Sequence, residues 1–209
     1  MERNKLVILA TLGAALGLGI PAEVWAGKAA HKHDGFFLRL SSGIGYASTE
    51  IEDASARLEF NGGTGDANIA IGGMVSQNLA LHGTLLGWFI SDPDVEGFDS
   101  SGSFAGEIAG DITMSAIGIG VTYYFMPTNL YLSGTLGLGQ LEFDLPGVGQ
   151  ADTDNGLILE GTLGKEWWVS SNWGLGLAGA LSLHSFPDDG SDESWSGPSL
   201  ALRFSATFN

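Results

Sequence analysis

The sequence contains no cysteine and few charged residues, and each shortage narrows the kind of protein to expect. Without cysteine there is no disulfide, thiol nucleophile, thiolate metal site or lipidated cysteine anchor. Charged residues make up 15% of the 209-residue chain, and after the N-terminus no apolar run reaches the roughly 20 residues that a membrane helix needs. If this chain spans a membrane, we therefore expect strands to do so.

The N-terminus has the pattern of a cleaved export signal. Arg3 and Lys5 precede an apolar block at residues 6–20, and the small residue Ala26 ends a segment of the kind that signal peptidase accepts. The block is short for an anchor helix. We predict a Sec signal peptide over residues 1–26, a periplasmic tail over 27–35 and a folded domain over 36–209.

The folded domain is predicted to consist of strands. Every-second-residue patterning alternates with segments rich in Asp, Glu, Gly, Ser and Pro, and no helical period follows the signal. The predicted strands are residues 36–48, 67–76, 79–90, 111–125, 129–142, 156–169, 172–186 and 196–208. Eight is an even number, as bacterial closed barrels require.

The two faces of these strands differ in size and polarity. In the last strand one face is large and apolar and consists of Leu200, Leu202, Phe204 and Phe208. The other face is small or polar and consists of Ser199, Ala201, Arg203, Ser205 and Thr207. A soluble sandwich would carry many charges on its polar face, and those are missing here. Small residues instead suit the crowded interior of a narrow barrel with a lipid-facing outside. The predicted fold class is therefore all-β, an eight-stranded antiparallel up-and-down transmembrane β-barrel.

The connections between the predicted strands alternate between short and long. The short ones are residues 77–78, 126–129 and 170–171. Outer-membrane barrels have short periplasmic turns and long outer loops, which sets the orientation. Aromatic residues beside the short turns are predicted to form an interfacial belt, and they are Tyr123, Phe125, Trp167 and Trp173, with Tyr124, Tyr131 and Trp168 beside them.

The combination of a signal peptide, eight alternating strands, short turns opposite long loops and the C-terminal strand "SLALRFSATFN" resembles the small outer-membrane β-barrel proteins of Gram-negative bacteria, the OmpA-barrel, OmpX and OmpW-like group. The resemblance implies an outer-membrane location, contact with lipid and lipopolysaccharide, and recognition of Phe204 and Phe208 by the barrel-assembly machinery. Asn209 departs from the pattern by moving the terminal aromatic to the penultimate position. Because closure leaves no open edge, a monomer is expected.

Acidic residues are predicted to crowd one side of the barrel. Nineteen of the 24 lie in or beside the four long connections: Glu50, Glu52, Asp53, Glu59, Asp66, Asp92, Asp94, Glu96, Asp99, Glu107, Asp111, Glu142, Asp144, Asp152, Asp154, Asp188, Asp189, Asp192 and Glu193. Such a rim repels nucleic acid and attracts cations. Two readings stay open: a solvated surface, or loops that bind Ca²⁺ or Mg²⁺. The candidate cation ligands are Asp92, Asp94, Glu96, Asp188, Asp189 and Asp192, and no other cofactor is expected.

Four charged residues are predicted to face the lumen. The alternation places Arg39 on the first strand, Arg203 on the last, and Glu160 and Glu166 on the sixth. Buried charges need partners. We expect an Arg/Glu network that plugs the barrel, and the alternative is a hydrated path for small solutes. Eight strands enclose little more than their own side chains, so we expect little passive flux.

The chain offers only weak candidates for catalysis. A lipid-directed hydrolase needs a serine and a base within reach of each other. Ser182 and His184 share a face, but the pattern points both into the lumen, and His82 is isolated. His31 and His33 precede the first strand, where two histidines are more often part of a flexible tail than a metal site. No catalytic or metal residue is predicted.

Three functions follow, in different classes. The leading hypothesis is a non-enzymatic outer-membrane barrel that contributes to the envelope and presents acidic surface loops. The alternative is an OmpW-like channel for small or apolar molecules. A lipid A-modifying hydrolase is the third.

Overall fold

The computed structural model describes residues 33–53, 56–99, 102–146 and 149–209, which form strands joined by turns. The strands are β1 (Phe36–Glu52), β2 (Arg57–Ser76), β3 (Leu79–Ser91), β4 (Asp94–Asp99), β5 (Gly102–Glu107), β6 (Asp111–Phe125), β7 (Leu130–Leu145), β8 (Gly149–Asp152), β9 (Gly156–Trp168), β10 (Trp173–Pro187) and β11 (Ser194–Phe208).

Eight of these strands close into an antiparallel barrel. Each of β1, β2, β3, β6, β7, β9, β10 and β11 pairs with the next in that order, and β11 pairs back onto β1. Neighbours in space are neighbours along the chain, so the topology is up-and-down. The predicted all-β fold class and the eight predicted strands are confirmed.

The alternation along each strand separates the outside of the barrel from its inside. On β6, Ile117 and Ile119 are 64% and 70% exposed, whereas Thr122 and Tyr124 are fully buried. The same division recurs in the outward Leu200 and Leu202 and the inward Arg203 and Ser205 of β11. The outer wall is therefore a continuous apolar surface, much larger than a soluble monomer normally exposes to water.

Strands extend past the barrel at the end opposite the short turns. Residues 49–66 were expected to be a long loop, but β1 and β2 stay paired as far as Glu52 and Arg57. β4 continues the sheet beside β2, β5 pairs with β4, and β8 pairs with β7. Polar composition favoured a loop, whereas the inward residues Ile51, Leu58 and Phe60 pack into an apolar cluster and hold these segments as strands.

Some of the sequence predictions lie outside the described residues. These are the signal peptide at residues 1–26 and the part of the tail at residues 27–32, including His31. Within the part of the chain that is described, no helix is long and apolar enough to cross a membrane, which has no bearing on crossing by strands.

Candidate functional site in the barrel interior and at its two ends

The barrel has two unlike ends. We call the end with the connections 77–78, 126–129 and 169–172 the short-turn end, and the opposite end, which carries β4, β5 and β8, the long-loop end.

At the short-turn end, a histidine from before β1 covers the mouth of the barrel. The His33 ring stacks on Tyr124 with centroids 3.6 Å apart, and its Nε2 lies 2.7 Å from Asn129 Oδ1. The Trp168 ring is 5.0 Å away, and His33 is 1% exposed. A freely mobile tail was expected at this position, but His33 is packed into the opening.

Above this layer lies a first buried charge centre, built around Arg39. Its Nη2 donates to Tyr124 Oη at 2.7 Å and lies 3.2 Å from Glu166 Oε1, and its guanidinium lies 3.9 Å from the centroid of the Tyr131 ring. Thr207 Oγ1 donates to the same Glu166 oxygen at 2.6 Å. Cation–π contact and charge pairing together offset the desolvation of a buried guanidinium.

A second charge centre lies further along the interior, around Arg203. Two of its nitrogens donate to Asp66, with Nη2 to Oδ2 at 2.9 Å, and two donate to Glu160, at 2.8 and 2.6 Å. Asn68 Nδ2 also donates to Glu160, at 3.2 Å. The planar fork of arginine suits this double bidentate arrangement, which a lysine could not reproduce.

All four predicted lumen charges lie inside the barrel, but they form two centres and they are not the whole set. Sequence reasoning missed Asp66, which it assigned to the acidic rim because the second strand was predicted to begin at residue 67. Asp66 is instead 5% exposed and bound to Arg203. Asp66, Asn68 and Ala70 follow one another at two-residue spacing, and since Asn68 and Ala70 face inward, this spacing was the signal that could have placed Asp66 inside.

The long-loop half of the interior is mainly apolar, and His184 and Thr49 are buried there as well. It holds a cluster of buried side chains, which we call the apolar cluster: Ala47, Phe60, Leu86, Trp88, Ile90, Ile112, Met114, Ala116, Leu141, Phe143, Leu145, Ile158, Phe186 and Trp195. A small and polar interior was expected throughout, and for this half that expectation was wrong. Here β1, β2 and β4 extend past the barrel, and large side chains fill the space that the extended wall encloses.

The histidines and serines considered for catalysis each contact other partners. Ser182 Oγ lies 2.6 Å from Ser199 Oγ, and His184 Nε2 lies 3.1 Å from Thr49 Oγ1. His82 contacts Thr84 and Thr122. Ser182 and His184 are both buried inside the barrel, so the structure does not bring them together at a surface that meets lipid.

The aromatic residues near the short turns divide between the two surfaces. Four point outward and are between 38% and 49% exposed: Tyr123, Phe125, Trp167 and Trp173. Tyr124 and Tyr131, which were counted with the belt, are fully buried in the lumen, because each is one residue out of phase with an outward neighbour. Trp168 is half-buried against His33.

The C-terminal strand presents Phe204 and Phe208 to the same outer surface, whereas its Trp195 belongs to the interior. Phe204 is exposed, and Phe208 makes an edge contact with Trp173 at 5.4 Å between centroids. Asn209 is buried, and its backbone N–H donates to the Asn172 carbonyl at 3.0 Å.

The candidate cation ligands are spread over the long-loop end. Asp92 accepts from the backbone of Gly110, Asp94 and Glu96 lie on β4, and Asp189 and Asp192 lie in the turn before β11. Asp188 accepts from Trp195 Nε1 at 2.9 Å and from Ser191 Oγ at 3.0 Å. Among the described residues, no three His, Asp or Glu side chains are grouped to hold a metal ion, and loop-bound Ca²⁺ or Mg²⁺ stays a prediction.

One cation sits among these acids. Arg57, at the start of β2, contacts Glu50 and lies 2.9 Å from Glu59. The negative charges of Glu50 and then Glu59 raise the pKa of Arg57 above its usual value. The acidic residues outnumber Arg57 here, so the outer face of the paired ends of β1 and β2 has a negative potential.

A closed eight-stranded barrel with an apolar outer wall and an aromatic belt is the architecture of the small outer-membrane barrels, and comparison with solved structures agrees. Neisserial surface protein A is similar with a TM-score of 0.56 and 14% identity, over 83% of this chain and 96% of that one. Outer membrane protein OprG from Pseudomonas aeruginosa has a TM-score of 0.50 and 13% identity, over 86% and 99%. Outer membrane protein AlkL has a TM-score of 0.50 and 16% identity, over 90% and 97%.

These likenesses concern the fold, since every identity is low. No protein-family model matches the chain, and no curated protein matches it. What the protein does must be argued from its own residues.

Proposed function

We propose that this chain is a non-enzymatic outer-membrane barrel with a closed interior, and that it acts by presenting its acidic long-loop end at the cell surface. The observation that carries the proposal is the filled lumen. His33 covers one mouth, the Arg39 and Arg203 centres occupy the middle, and the apolar cluster fills the other half. A hydrated path would need charged and polar groups turned toward water, and here the buried charged groups are bound to each other.

Conductance tests the closed lumen. The purified protein is inserted into planar lipid bilayers in concentrated KCl, with a general porin as the control for sensitivity. We expect no stepwise ion current from this chain, because its buried charges are paired and its mouth is covered. Reproducible unit conductance steps would contradict the proposal.

The proposed orientation places the long-loop end outside the cell and the short turns in the periplasm. The absence of cysteine makes single-cysteine labelling clean. The two labelling sites are Ser103→Cys, at an exposed position of β5, and Ser171→Cys, at an exposed position of a short turn. A membrane-impermeant maleimide is expected to label the first variant on intact cells and the second only after the outer membrane is permeabilised. The opposite pattern would reverse the orientation.

Export through the Sec pathway with removal of residues 1–26 belongs to the same proposal. It is supported by the charged start, the apolar block and the small residues before residue 27. N-terminal sequencing of the protein from outer membranes is expected to begin near Gly27, and a start at Met1 would show that the segment is retained.

A second candidate is a channel for small apolar molecules, and the apolar cluster is the observation that favours it. An apolar solute could replace some of these side-chain contacts if the cluster loosened. Protein-dependent transfer of an uncharged fluorescent naphthylamine into lipid vesicles would support this candidate. We expect no transfer above protein-free vesicles, since Leu141, Phe186 and Ile112 are fully packed.

The absence of enzymatic activity is likewise proposed. Its support is that Ser182 and His184 contact separate partners inside the barrel. Mass spectrometry of lipid A from cells with and without the protein is expected to give the same species. Loss of an acyl chain that depends on His184 would establish a hydrolase.

A further inference from the structure

The extension at the long-loop end contains an open sheet edge, although the barrel itself has none. The outer sheet runs β1, β2, β4, β5, and within the described residues β5 has β4 on one side and no strand on the other. All six residues of β5, Gly102–Glu107, are exposed. An edge of this kind offers unpaired N–H and C=O groups to any chain that can run beside it.

This edge lacks the features that normally protect an edge strand. Its sequence, GSFAGE, has no lysine and no proline, and its one charge, Glu107, stands at the end of the strand. Proteins usually block edges with lysine, proline, bulges or charges in the middle of the strand. The other strand of this end that pairs with one neighbour, β8, has four residues, of which Asp152 is charged. β5 is therefore the more open template.

The outer face of the same sheet carries carboxylates in rows. Residues that pair directly across antiparallel strands share a face. Glu50 pairs with Glu59, Glu59 with Glu96, and Asp94 with Glu107. Like charges directly opposite destabilise a sheet, and Arg57 is the cation within the rows. A new strand beside β5 that brought cations to this face would offset the repulsion.

The opposite face of the hairpin carries one aromatic side chain, Phe104. A Cβ added at Gly97 would lie 2.3 Å from the Phe104 ring, so this ring lies directly over Gly97. Phe104 is nevertheless 53% exposed. An apolar side chain on an added strand could cover the rest of the ring. Phe98, on the acidic face, is 60% exposed as well.

These observations specify the partner. We propose that the free edge of β5 binds an extended segment of another protein, in which basic residues alternate with apolar ones, as an added β-strand. Basic residues would face the rows of Glu96 and Glu107, and apolar residues would cover Phe104. Six residues of strand correspond to about 20 Å of main-chain pairing.

Charge argues against two other occupants. A second copy of this chain would bring the same β5 sequence, which has no cation, and lipid headgroup phosphates would meet the carboxylates of this face. Neither occupant supplies the positive charges that would offset the rows of carboxylates. The inference rests on the proposed surface display only in that a partner must reach this end.

The experiment uses the purified full-length barrel in detergent micelles and the peptide acetyl-(Lys-Val)₃-amide as the probe. Isothermal titration and amide hydrogen exchange of β5 are measured together. We expect saturable binding with slower exchange at β5. An N-methylated peptide of the same sequence keeps the charge but loses main-chain donors, and its binding is expected to be at least about tenfold weaker. Equal binding of the two peptides, or no binding of the first, would overturn the proposal.

Matched variants locate the contact. Glu96→Gln with Glu107→Gln is expected to weaken binding by about threefold or more, and Phe104→Ser is expected to weaken it too. Glu142→Gln, a charge change beside β8, is the control and is expected to have no effect. Equal weakening by the control would overturn the location. Since the assay uses solubilised protein, its failure would leave the conductance and labelling results of the proposed function unchanged.

Discussion

The two halves of the barrel interior are filled by opposite means. From the short turns to the middle of the barrel, the inward positions include Arg39 and Arg203, which bind three carboxylates. Near the long loops, the inward positions of the same strands hold the apolar cluster. The same strands form both halves, so their backbone geometry is alike. We expect the two halves to differ in how much stability the barrel loses when one inward side chain is replaced.

The stability of the charged half depends on each charge keeping its partner, whereas the stability of the apolar half depends on how completely the side chains fill the space. If one member of a buried ion pair is removed, the other is left without compensation in a place that water does not reach. If an apolar side chain is shortened, the neighbours lose contacts and a cavity remains. Two substitutions test this contrast and a third tests which face of the wall points inward, from the largest expected effect to the smallest.

The largest effect is expected for Arg203→Met. Asp66 and Glu160 would both lose their cation, and the free energy of unfolding should fall by about 3–5 kcal/mol. Urea unfolding in detergent micelles, followed by tryptophan fluorescence and by the electrophoretic shift between folded and unfolded barrel, measures it. Adding Asp66→Asn and Glu160→Gln to the same chain should restore part of the loss. A single variant as stable as the parent would show that the centre does not depend on pairing.

A smaller effect is expected in the apolar half, for Leu141→Ala. Leu141 is fully buried in the cluster, and the variant should lose about 2–4 kcal/mol through transfer and cavity terms. Leu138→Ala on the same strand is the matched control, because Leu138 points outward and is 54% exposed. Unfolding of both variants under the same conditions compares them. Equal losses would mean that the cluster is not packed as a core.

The smallest effect is expected for a glycine-to-alanine substitution, which compares an inward position of the barrel wall with an outward one. On β7, a Cβ at inward Gly137 would lie 2.7 Å from the Ile117 carbonyl oxygen, whereas a Cβ at outward Gly134 meets nothing within 4 Å. Gly137→Ala should cost about 1–3 kcal/mol, and Gly134→Ala should be neutral or gain up to about 1 kcal/mol. The same unfolding assay measures both. A loss at Gly134 as large as that at Gly137 would contradict the assignment of faces.

Much of the barrel could be predicted because strand alternation is a local property of the sequence. Leu200 and Leu202 alternate with Arg203 and Ser205, and that period alone assigns the faces of β11. The same logic placed Arg39, Glu160 and Glu166 inside. It was not followed at Tyr124 and Tyr131, because the neighbours of each tyrosine on both sides are large and apolar and hide the period.

Contacts between residues far apart in the chain could not be predicted from the alternation within one strand. Asp66 looked like a rim acid until β2 was extended, and Arg203 lies 137 residues further along the chain. His33 looked like part of a free tail until Asn129 and Tyr124 were placed around it. The edge strand β5 lay within a segment expected to be a loop, since its polar neighbours gave no strand signal.

By itself, the sequence determined the eight barrel strands, their two faces and the unequal lengths of their connections, because each follows from residues near one another in the chain. Only the tertiary structure decided which carboxylate binds which arginine, how the upper lumen is filled and where a free edge remains. Those outcomes depend on the register between strands, and the register is set by barrel closure.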